Sequence, residues 1–69
     1  MDRAAIKILL SEIHSKLSEA PRIAKAAEAC AEAGGISEGV SVSMDIEQLV
    51  YEAGRLHDTA SLLNRLSRE

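Results

Sequence analysis

Two apolar seams, one on each side of a Gly34-Gly35 pair, leave this chain few folds to choose from. In the first, apolar residues fall at Ile6, Leu10, Ile13, Leu17, Ala20, Ala24, Ala27 and Ala31, in alternating steps of four and three. In the second they fall at Ile46, Leu49, Ala53, Leu56, Ala60 and Leu63, with the same alternation. A repeat of this kind marks a helix packed along one side, because the side chain returns to the same face every third or fourth position. Leu9, Ile23 and Cys30 widen the first stripe, and Val50, His57 and Leu66 flank the second. The spacing predicts an all-α fold. One hairpin domain is expected, with a helix over 2–33, a loop over 34–43 and a helix over 44–67.

The ends of these elements have local signals. Asp2 is placed to cap the first helix, and Gly34-Gly35 supplies a left-handed stop. Asp45 reads as the cap of the second, with Gln48 completing a capping box and Met44 stapled to Leu49. Pro21 interrupts the first helix. An internal proline removes a hydrogen bond and clashes with the carbonyl four residues back, here that of Leu17, at about 3 kcal/mol. Ser18 offers itself as the cap of a new helix with Pro21 in its first turn. The seam nevertheless keeps its phase across the proline, so a single kinked helix is favoured over two. In the segment between the seams, Ile36, Val40 and Val42 are set among serines. It reads either as a mobile loop or as a cap over the open end of a bundle.

Composition decides what such a hairpin can do alone. Eleven of its 69 residues are alanine, none is Phe or Trp, and the large aliphatics are six Ile, eight Leu and three Val. Chains of this size bury only about 60% of the surface they expose when unfolded. An alanine-rich core without aromatic residues is thin, and alanines along a seam allow helices to approach closely. The expected assembly is a homodimeric four-helix bundle. Its interface is assigned to Ile6, Ile8, Leu10, Ile13 and Leu17 of the first helix, and to Leu49, Ala53, Leu56, Ala60 and Leu63 of the second. Ile8 points away from the seam and belongs either to that interface or to a partner contact.

Several function classes are disfavoured. Eight Lys and Arg against 11 Asp and Glu give a net charge of −3, with the acidic excess in the C-terminal half. Nucleic-acid binding needs a clustered basic face. Arg3, Lys7, Lys16, Arg22 and Lys25 are instead interspersed with acids, and nucleic acid is not an expected partner. Pairs such as Glu12 with Lys16 and Glu52 with Arg55 read as ordinary helix-surface charges. One cysteine, Cys30, fits a reducing compartment. MDRAAIKILL, with Lys7 inside its apolar run, does not read as a signal peptide. A cytoplasmic protein without a membrane span is expected. His14, His57 and Cys30 each lack a second ligand at helical spacing, so no metal and no cofactor are expected. GGISEG lacks the preceding strand and following Lys-Ser/Thr of a phosphate loop, and no catalytic residues are assigned.

The outward surface of the second helix is the candidate binding site. Tyr51, the only aromatic residue, points away from the seam, and Arg55, Asp58, Leu62 and Arg65 follow on the same strip. Tyr and Arg combine contact area with directional hydrogen bonds and dominate protein–protein hot spots. Tyr51, Arg55, Leu62 and Arg65 are therefore the expected partner-binding residues. The competing reading packs Tyr51 on the loop and Leu62 on the edge of the first helix. Three roles follow: a non-enzymatic regulator that binds and inhibits another protein, a nucleic-acid-binding hairpin dimer of the plasmid type, or a structural assembly part. In length, acidity, lack of catalytic motifs and a hairpin of the form AAIKILLSEIHSKL…IEQLVYEAGRLHDTASLLNRL, the chain resembles very small phage-encoded anti-activators of quorum-sensing transcription regulators. The resemblance implies a protein that occupies the DNA-binding or dimerisation surface of a host regulator, and some such proteins also act on pilus motors. It assigns no individual residue.

Overall fold

Gly34 has a φ of +98°, a backbone conformation that costs a residue with a Cβ about 1–2 kcal/mol. Its N–H donates to the Ala31 carbonyl at 3.0 Å, and the Gly35 N–H donates to the Cys30 carbonyl at 2.8 Å. This pair of bonds is the Schellman arrangement, which ends a helix by satisfying its last carbonyls and reversing the chain. The computed structural model, which describes residues 3–67, accordingly has two helices: α1, Arg3–Glu32, and α2, Ile36–Ser67. They run antiparallel as a hairpin.

The connection is shorter than the spacing predicts. The segment 34–43 is not a loop, because α2 begins at Ile36 and takes in two further turns. The Gly35 carbonyl accepts the Gly39 N–H at 2.9 Å and opens the helix, with Glu38 in its first turn facing the positive end of the helix dipole. Asp45 and Gln48 therefore lie inside α2 and form no capping box, and Met44 is 60% exposed and staples nothing. Gly39 explains why this weak helix-forming stretch is held. A Cβ there would stand 2.7 Å from the Ala27 carbonyl oxygen, so the two backbones approach closer than any larger residue permits.

Pro21 does not break α1, which continues through it from Arg3 to Glu32. The Ser18 hydroxyl caps no new helix and donates instead to the His14 carbonyl at 2.7 Å, within the same turn. The expected cap Asp2 lies outside the described residues.

The seam of α2 packs as its spacing predicts: Ile46, Leu49, Ala53, Leu56, Ala60 and Leu63 are half-buried or buried, and Gly39 and Val42 extend the line back to the turn. On α1 the packed line is rotated from the expected one. Leu9, Ile13, Lys16, Ala20, Ile23, Ala27 and Cys30 face α2, while Leu10, Leu17, Ala24 and Ala31 are exposed. A stripe three residues wide offers two possible seams. The inner one is the line that faces α2, and Ala27, common to both, lies against Gly39 beside the turn.

What results is a rod. Among the described residues, Ala53 and Ala60, each 6% exposed, are the buried apolar ones, and no large side chain is fully buried. The described chain measures 55 × 14 × 10 Å with a radius of gyration of 16.2 Å. A globule of this length has a radius near 11 Å.

Candidate functional site

The packed seams divide the hairpin into two broad faces and leave the back of α2 outward. One face is polar. A shallow groove between the helices is floored by Leu56, with Glu12 and Lys16 on one wall and Gln48, Tyr51, Glu52, Arg55 and Thr59 on the other. Lys16 occupies a seam position of α1, so its ammonium reaches across to Glu52 at 3.1 Å. The expected pairings of Lys16 with Glu12 and of Arg55 with Glu52 give way to this one. The Gln48 amide also donates to Glu52 at 3.1 Å. That amide, and then Lys16, hold the Glu52 carboxyl below its ordinary value.

Arg55, released from Glu52, turns to Tyr51. Its Nη1 donates to the phenol oxygen at 2.9 Å, and its guanidinium carbon stands 5.8 Å from the ring centroid. Both side chains are exposed, Tyr51 by 58%, so the pair is held together on the surface without being buried. Tyr51 does not pack under a loop, since the segment expected to cover it is helix. Leu62 is 46% exposed two turns beyond Arg55, and Arg65 is exposed beside it. The four expected partner-binding residues thus share one strip of α2. Tyr51 and Arg55 touch; Leu62 and Arg65 extend the strip without a described contact to them.

Met44, one heptad before Tyr51, was not among the expected site residues and is exposed on the same strip, with Val40 and Ile36 one and two turns before it. Their spacing of four residues was available in the sequence, but the serines around them read as loop.

The opposite face is apolar. Leu10 shares a groove with Ile6, His57, Ala60, Ser61 and Asn64. One heptad on along α1 is Leu17, and one heptad back along α2 is Val50; both are exposed, as is Leu10 at 53%. The residues expected at a dimer interface are divided by this geometry. Ile13, Leu49, Ala53, Leu56, Ala60 and Leu63 pack between the chain's own helices, Ile6 is half-buried at their edge, and Leu10 and Leu17 lie on the open face. Ile8, 65% exposed, is about 200° around α1 from Leu10 and stands apart from that face.

Among the described residues, no group of three or more His, Cys, Asp or Glu could hold a metal ion, and no helix is long and apolar enough to cross a membrane. Fold and site together define an antiparallel two-helix hairpin with one charged face, one apolar face and an aromatic–arginine strip. Comparison with known proteins adds no relative: no family model, no curated protein and no solved structure matches the chain.

Proposed function

We propose that the chain is a non-enzymatic cytoplasmic regulator that binds and inhibits another protein, acting as a homodimeric four-helix bundle with the α2 strip as its docking surface. The Tyr51–Arg55 pair carries this reading. An aromatic ring and a guanidinium fixed to each other at 2.9 Å on an exposed helix lose little side-chain freedom when a partner covers them. Leu62 adds an apolar anchor about 17 Å along the helix from Tyr51, and Arg65 a further charge. A transcription regulator is the target to which the resemblance to phage-encoded anti-activators points.

The test is a pull-down from the native host's lysate with the wild-type chain, Tyr51→Ala and Leu62→Glu. A partner retained by the wild type and lost by both variants, with helicity and melting unchanged, supports the reading. Loss of helicity in both variants makes the residues structural and contradicts it. Steep salt-dependent retention of RNA or DNA instead would favour the nucleic-acid hairpin.

A further inference from the structure

The polar face has its own ion pair and hydrogen bonds, but the Leu10–Leu17–Val50 face is left open although both helices contribute to it. We propose that a second copy of this chain covers this face, packed antiparallel, with the turn of one hairpin over the open end of the other. The inference deepens the homodimer of the reading above and does not depend on the partner strip.

Area argues for a covering molecule of this size. The chain exposes 5254 Å², whereas a folded monomer of 7.4 kDa is expected to expose about 4,200 Å². The excess, about 1,000 Å², is comparable to the roughly 800 Å² that each partner buries in a stable interface. A second copy supplies a face of matching length and matching apolar character, as an isologous pair requires.

Charge and residue size argue for the antiparallel arrangement. Arg3 and Lys7 edge the face at the open end of the hairpin, alongside Leu10. Glu28 and Glu32, exposed on α1, and Glu47, one turn before Val50, edge it towards the turn. A parallel pair would stack like charges at both ends. An antiparallel pair sets Arg3 and Lys7 of each copy against Glu28 and Glu32 of the other. Lys16 pairs with Glu52 midway along the rod, so Leu17 and Val50 lie near the two-fold axis. From that centre, Leu10 of one copy falls against Ala24 of the other, large against small, as close helix packing prefers.

Sedimentation and circular dichroism of designed variants test the proposal. The wild type is expected to sediment as a dimer at micromolar concentration, and Leu10→Glu with Leu17→Glu should weaken association at least tenfold, whereas Leu62→Glu leaves it unchanged. Arg3→Glu with Lys7→Glu should also weaken the dimer at low salt. Adding Glu28→Lys and Glu32→Lys to that same chain should restore it, which holds even if the leucine variant fails to fold. A monomeric wild type overturns self-association altogether. A dimer that survives the leucine changes in folded protein overturns this face but not the dimer. Failure of the charge swap to restore the dimer overturns the antiparallel arrangement. None of these results bears on partner binding, which is read from Tyr51→Ala.

Discussion

Lys16 of α1 reaches Glu52 of α2 at 3.1 Å and ties the two helices near their midpoints. With the Gln48 amide on the other carboxylate oxygen, it makes the Glu52 carboxyl more acidic than usual. Because the folded value is depressed, this contribution to stability is present above the ordinary carboxylate pKa and lost as pH falls through the folded value. NMR titration should place Glu52 below the ordinary glutamate value. Gln48→Ala and Lys16→Ala should each raise it, and an unmoved titration in both would contradict the geometry.

The two glycines near the turn fail for different reasons when substituted. Gly39→Ala forces a methyl group to within 2.7 Å of the Ala27 carbonyl and should cost about 1–3 kcal/mol through separation of the helices. Gly34→Ala has open space around it but keeps the left-handed φ, for about 1–2 kcal/mol. Denaturant unfolding of both variants checks the pair, and a neutral Gly39→Ala would show that the backbones are not in such close contact.

Pro21 sits within α1 at an exposed position. Pro21→Ala restores the missing helical hydrogen bond and should raise stability by about 1–3 kcal/mol. A melting temperature unchanged or lowered would mean that the proline is itself needed for packing.

Arg55→Ala removes both the hydrogen bond to Tyr51 and the cation over its ring. If the strip binds a protein, the variant should weaken that complex about tenfold or more while leaving helicity intact. Equal binding by Arg55→Ala and the wild type would remove the strip from the interface.

The all-α hairpin and the seam of α2 could be read from the chain because Ile46, Leu49, Ala53, Leu56, Ala60 and Leu63 leave only one stripe to bury. The start of α2 was hidden: serines and β-branched residues at 36–43 have weak helix propensity, and the interaction that holds them, Gly39 against Ala27, joins residues distant in sequence. The phase of α1 was ambiguous for a related reason. Leu9 and Leu10 are adjacent, as are Ile23 and Ala24, so spacing alone allowed either to face α2. Periodicity did place Tyr51, Arg55, Leu62 and Arg65 on a single strip. It could not show that Arg55 would leave Glu52 for Tyr51, because that follows from Lys16 arriving across the helix pair.

A hairpin whose buried apolar residues, among those described, are Ala53 and Ala60 is proposed to stay folded by pairing with its own copy. Thermal unfolding followed by circular dichroism over a hundredfold range of protein concentration tests it most directly. Coupled folding and dimerisation predicts a midpoint that rises steadily with concentration. A midpoint independent of concentration, with a sedimenting mass of 7.4 kDa throughout, would contradict it.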